Sequence, residues 1–89
     1  MQIRNVTITN ELGLHARACA KIVQVANRFP CEVSLVAKGR RANAHNILAL
    51  MLLSASVGSV LRVEIDGPEE ARAMSEIAAL FHNGFGKHS

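Results

Sequence analysis

Residues 60–66, VLRVEID, alternate without a break: Leu61, Val63 and Ile65 fall on one side and Arg62, Glu64 and Asp66 on the other. A β-strand sends successive side chains to opposite faces, so this segment predicts a strand with one face to bury and one to leave in water. Gly67-Pro68 follows, and then Met74, Ile77, Leu80 and Phe81 recur at helical spacing. Glu69 and Glu70 stand in the first turn, where the positive end of a helix favours carboxylates, and Asn83-Gly84 supplies a stop. A one-faced strand beside a one-striped helix satisfies both apolar surfaces only by stacking. Two layers are therefore expected, with helices covering one side of a sheet.

The rest of the chain fits that plan. Residues 2–9, QIRNVTIT, are rich in β-branched types and predict a strand that ends in a turn at 10–13. From His15 to Phe29, the apolar residues Cys19, Ile22, Val23, Ala26 and Phe29 keep helical spacing, with Arg17, Lys21, Gln24 and Arg28 opposite and Pro30 as terminator. Residues 31–37 and 40–44 flank Lys38-Gly39 as a hairpin of two short strands. Asn46 is a suitable N-cap for ILALMLLSA, a short helix apolar on nearly every side, which must be covered all round or offer apolar surface to a partner. The predicted order is β-α-β-β-α-β-α, an α+β fold, and 89 residues predict one domain over 1–89.

Composition narrows the function classes. Hydrophobic residues make up 49% and charged residues 19%, a globular balance. The longest nearly apolar run, Ile47 to Leu53, is too short to span a bilayer, and residues 1–9 lack the layout of a signal peptide, so the expected location is the cytoplasm with no membrane insertion. Cys19 lies on the apolar stripe and no Cys/His metal spacing is present, so Cys19 and Cys31 are expected as reduced core thiols and no metal site is expected. Net charge is +3, with the acids crowded into the C-terminal part and Arg17, Lys21, Arg28, Lys38, Arg40 and Arg41 earlier, which suggests an anionic or acidic partner. Nucleic acid is a poor fit for that partner, because the chain has no Trp, no Tyr and only three Phe for stacking. His45, His82 and His88 read as surface residues, and the GFGKHS tail lacks the spacing and flanking elements of a phosphate loop.

NELGLHARACAKI, residues 10–22, sets His15 and Arg17 at the mouth of the first helix. Backbone N–H groups there have no partner within the helix and favour an anion, while a free ring nitrogen is a nucleophile. A phosphoryl group on that nitrogen would find the amides around Ala16 and Arg17 and the Arg17 guanidinium, and Gly13 lets the preceding turn present the ring. On spacing alone, a histidine near a helix start is more often a solvated or capping residue than a nucleophile, and an adjacent exposed arginine is ordinary.

The same stretch resembles the active-site signature of the HPr family, the histidine phosphocarriers of the bacterial phosphotransferase system. ANAHNILALMLLSASVG resembles the family's second-helix segment, and IDGPEEARAMSEIAALFHNGF its last strand-to-helix stretch. The resemblance implies an open-faced β-sandwich, a four-stranded antiparallel sheet with three helices on one face. It implies that His15 accepts a phosphoryl group on Nδ1 from Enzyme I, charged by phosphoenolpyruvate, and passes it to a IIA-type protein while Arg17 screens the charge. No cofactor is then expected beyond the covalent phosphoryl group, and the protein is a relay rather than a conventional enzyme. By the family's pattern part of the second helix docks the partners, so contacts are expected at Ile47, Leu48 and Met51, which otherwise read as core, and at Leu14 and Ala16 beside the histidine. Lys21 and Gln24 on the exposed side of the first helix read equally as a solvated face or as residues that steer acidic partners. A monomer is expected. ANAHNILALMLLSA and ALFHNGF resemble the nitrogen-related branch more than the sugar branch. Two positions depart from the pattern: Ala18 stands where many members have Pro, and Asn46 where some carry a regulatory serine. A regulatory binding module on the same fold, switched by phosphorylation, is the second reading.

Overall fold

The computed structural model describes residues 1–86, so His88 and the last residues of the GFGKHS tail lie outside the described residues. The seven elements come in the predicted order: β1 (Gln2–Thr7), α1 (Ala16–Ala26), β2 (Glu32–Ala37), β3 (Arg40–Asn43), α2 (Ile47–Leu52), β4 (Val60–Asp66) and α3 (Glu70–His82). The strands form one antiparallel sheet in the order β1-β4-β2-β3. β4 is thus an interior strand, paired on both sides, with Leu61 opposite Val6, Val63 opposite Leu35 and Ile65 opposite Val33. These residues are buried under the helices together with Cys19, Ile22 and Val25 of α1, Leu50 of α2, and Met74, Ile77 and Phe81 of α3. This is the predicted open-faced arrangement of a sheet with three helices on one side.

Helix ends and strand faces correct several details. α1 stops at Ala26 rather than Phe29, because the Arg28 and Phe29 amides turn back to the Val25 and Ala26 carbonyls; Phe29 nonetheless remains buried. Val25, not Val23, completes the buried stripe, with Val23 only packed against it. α2 has six residues rather than nine: Leu53 and Ser54 bond three residues back, and Ser54 then takes a left-handed φ of 50°. Glu69 is not in the first turn of α3 but precedes it at φ 62°, while Glu70 reaches back to accept from the Gly67 amide at 3.2 Å. α3 ends as expected: Gly84, at φ 60°, donates to the Phe81 carbonyl and Phe85 to the Leu80 carbonyl, the paired bonds of a Schellman stop. Cys19 and Cys31 are free and buried, as the sequence implied.

Glu64 lies on the open face of the sheet, as its place in VLRVEID requires, yet it is only 8% exposed. Arg41 from β3 reaches its carboxylate at 2.6 Å and Arg62 at 2.8 Å, so two guanidinium groups lie over it. The hydrogen bond from Arg41, and after it that from Arg62, hold the Glu64 carboxyl below the ordinary value of 4.5 despite the opposing effect of burial. A carboxyl with a depressed folded value adds stability above its unfolded value and loses it as pH falls through the folded one. Glu64→Gln is therefore expected to be less stable than the unaltered protein at pH 7, and the gap in urea midpoint is expected to narrow steadily below pH 4.5. A gap of constant size down to pH 3 would mean that the two arginines do not stabilise the ionised form.

Candidate functional site

The approach to α1 is a turn latched on both sides. The Gly13 amide donates to the Asn10 carbonyl at 3.2 Å, the Asn10 side-chain amide donates to the Gly13 carbonyl at 2.8 Å, and the Leu14 amide donates across to the Ala55 carbonyl at 3.0 Å. Gly13 adopts φ 64°, and a Cβ there would stand 2.5 Å from the Ala55 carbonyl oxygen. Only glycine fits a left-handed conformation so close to another backbone segment.

His15 is the N-cap of α1, with extended φ and ψ of −77° and 171°. Its side chain makes no capping hydrogen bond. Its own amide donates to the Gly13 carbonyl at 2.9 Å and its carbonyl accepts from Cys19 at 3.0 Å. The ring is half-buried and its two nitrogens differ: Nε2 is enclosed and without a hydrogen-bond partner, whereas Nδ1 is neither enclosed nor bonded. Beside it the amides of Ala16, Arg17 and Ala18 lie in the first turn, where no intrahelical acceptor exists, and no described residue accepts from them. Arg17 is exposed and has no ion pair or hydrogen bond among the described residues. A ring with one nitrogen left open, three unpaired first-turn amides and an exposed arginine two residues on thus share the start of α1, a combination suited to binding an anion.

The other expected site residues divide. Ala16, next to the histidine in the chain, and Gln24, further along α1, are exposed, but Leu14 is buried and belongs to the core. Lys21 is half-buried and its ammonium donates to the Phe85 carbonyl, so it ties α1 to the loop after α3. Beneath the site the Cys19 thiol donates to the Leu14 carbonyl at 3.6 Å, and burial pushes it up to about 11. On α2, Ile47, Leu48 and Met51 are all exposed, Leu48 at 68%. Sequence reasoning missed Leu52, 70% exposed on the same short helix, and exposed Leu12 in the turn before Gly13. An all-apolar helix gives no periodic signal to separate its covered residues from its open ones. Asn46 caps α2 through its side chain, which accepts from the Ala49 amide at 3.1 Å. Among the described residues no group of three or more His, Cys, Asp or Glu side chains is placed to hold a metal ion.

A protein-family model described as "PTS HPr component phosphorylation site" matches residues 3–83. The chain belongs to the HPr family. It is 51% identical over 80 residues to the phosphocarrier protein HPr of Xylella fastidiosa, covering 90% of each chain. A relative with a different name is also similar: the phosphocarrier protein NPr of Escherichia coli is 39% identical over 83 residues, 92% of each chain. Among solved structures, an HPr from Thermoanaerobacter tengcongensis superimposes with a TM-score of 0.94 at 30% identity over the whole of both chains. HPr proteins are phosphocarriers of the phosphotransferase system, and this chain has their fold with a histidine at the mouth of the first helix. Among the described residues no helix is long and apolar enough to cross a membrane.

Proposed function

We propose that His15 carries the phosphoryl group on Nδ1, receiving it from Enzyme I and delivering it to a IIA-type protein. The observation that carries this reading is the asymmetry of the ring: Nε2 is enclosed, while Nδ1 is open beside the unpaired amides of Ala16, Arg17 and Ala18. In the neutral ring with its proton on Nε2, the Nδ1 lone pair attacks phosphorus as the bond from phosphorus to the donor breaks. The donor keeps that bonding pair, and the new P–N bond leaves the proton on Nε2. The first-turn amides and the Arg17 guanidinium are the free donors at this end of α1, and in this reading they stabilise charge that is passed on rather than held permanently. Delivery reverses the same step, with the P–N bond breaking as the acceptor's nucleophile attacks.

Transfer between two proteins needs a contact that excludes water around the phosphoryl group. The exposed apolar side chains of Ile47, Leu48 and Met51 on α2, with Ala16 and Gln24 on α1, support such a contact beside the histidine. Leu14 supports it indirectly, by anchoring the turn in the core. No bound cofactor or metal enters the step, the whole of residues 1–89 acts as one domain, and the location is the cytoplasm. The test is a relay. The protein is charged with phosphoenolpyruvate and Enzyme I, freed of both, and mixed with a purified IIA-type protein. Loss of the phosphoryl group from this chain with stoichiometric gain by the acceptor supports the reading. A charged protein that binds the acceptor while retaining its phosphoryl group would instead indicate a phosphorylation-switched binding module.

A further inference from the structure

We propose that Asn10 is a positioning residue for phosphoryl transfer on His15, an inference that rests on His15 being the acceptor. Asn10 is only 5% exposed, one of two buried polar or charged residues with Glu64 among the described residues. Its Nδ2 donates to the Gly13 carbonyl at 2.8 Å, and that same carbonyl accepts the His15 amide at 2.9 Å. One side chain therefore sets the oxygen from which the backbone of the acceptor residue hangs. The ring projects from that backbone with no hydrogen bond of its own to fix it, so its direction depends on the turn.

The rest of the Asn10 amide is unusual. Oδ1 is buried with no hydrogen-bond partner. A buried acceptor without a donor disfavours the fold by about as much as the Nδ2 bond favours it, or more, so the side chain gains little as a structural strut. The other buried, unpartnered side-chain atom among the described residues is His15 Nε2. Both orphans thus sit at the two ends of a single latched turn, and unsatisfied groups concentrate where local strain is kept for function. What Nδ2 achieves at this position is a fixed Gly13 carbonyl, and that carbonyl holds His15.

The experiment compares the unaltered protein with Asn10→Ala and Asn10→Asp as substrates of Enzyme I, together with thermal midpoints and the ring 15N signals of His15. Alanine removes the donor and the orphaned acceptor together, so its thermal midpoint is expected to stay near that of the unaltered protein. Its kcat is expected to fall about tenfold or more, as small misplacements of a reacting group do, with KM unchanged because α2 and Arg17 are untouched. The His15 ring signals should move. Aspartate, which turns an oxygen toward the Gly13 carbonyl, should lower both kcat and midpoint. Wild-type kcat and ring signals in Asn10→Ala would overturn the inference, and so would a kcat loss matched by a lowered midpoint, the mark of a purely structural role. If the unaltered protein takes up no phosphoryl group, the His15 reading itself has failed and this inference falls with it; normal uptake by the unaltered protein isolates a failure to Asn10.

Discussion

Gly13→Ala is expected to weaken the whole fold and, in whatever folds, to turn the site away from its working geometry. The added Cβ would stand 2.5 Å from the Ala55 carbonyl oxygen and 3.0 Å from the Ser56 Cα, both backbone atoms that no rotamer change can move aside. Holding alanine in the left-handed region costs about 1–2 kcal/mol. Overpacking against a closed backbone segment adds about 1–3 kcal/mol. Relief requires the 10–13 turn to separate from Ala55, which breaks the Leu14 amide bond to the Ala55 carbonyl and lifts Leu14 from the core. For a domain of this size each lost kcal/mol lowers the thermal midpoint by roughly 4–8 °C, so a calorimetric scan should show a drop of ten degrees or more, on the order of the summed cost. Gly39→Ala is the control: a Cβ there meets nothing within 4 Å although φ is 78°, so it carries the backbone cost without the clash. Equal midpoints for the two variants would mean that the turn at Gly13 is not held against Ala55.

His15→Ala is expected to have the opposite profile, with uptake abolished and stability nearly unchanged. The imidazole makes no capping hydrogen bond, so alanine forfeits none, and it also removes the enclosed, unpartnered Nε2. A change in the thermal midpoint of only a few degrees, about that of a minor N-cap substitution, should follow. Function has no such reserve, because in the proposed step His15 supplies the nitrogen of the P–N bond. The other described histidines are poorly placed to substitute. His45 has Nδ1 2.6 Å from the Asn27 side-chain oxygen and Nε2 3.1 Å from the Cys31 carbonyl, so both ring nitrogens are engaged. His82 lies in the last turn of α3, where the negative end of the helix dipole repels an anion rather than binds it.

Legibility in the sequence followed the number of faces an element leaves open. β4 and α3 could be placed to within a residue or two because each has one apolar side, and alternation or helical spacing marks it. α2 could not, because ILALMLLSA is apolar all round; its end is set by three-residue bonds and by Ser54 at positive φ, for which serine gives no signal. The pairing of β4 between β1 and β2 and the burial of Glu64 were also beyond local patterns. Arg41 comes to Glu64 from β3 across the intervening β2, a meeting that only the folded sheet creates. At the site, Gly13, His15 and Arg17 were readable as a group because they are neighbours in the chain and stay together at the start of α1. Lys21 was not, since its ammonium is taken by a carbonyl 64 residues away, at Phe85. Nor was the part played by Asn10, which appears once the Gly13 carbonyl is seen to accept from both Asn10 and His15.

The most direct measurement is the intact mass of the protein, and of His15→Ala, after incubation with phosphoenolpyruvate and Enzyme I. The account predicts a single phosphoryl adduct on the unaltered protein, lost in acid as a P–N bond is, and no adduct on the variant. An unaltered protein without an adduct, or a variant that still acquires one, would contradict the assignment of His15 as the carrier.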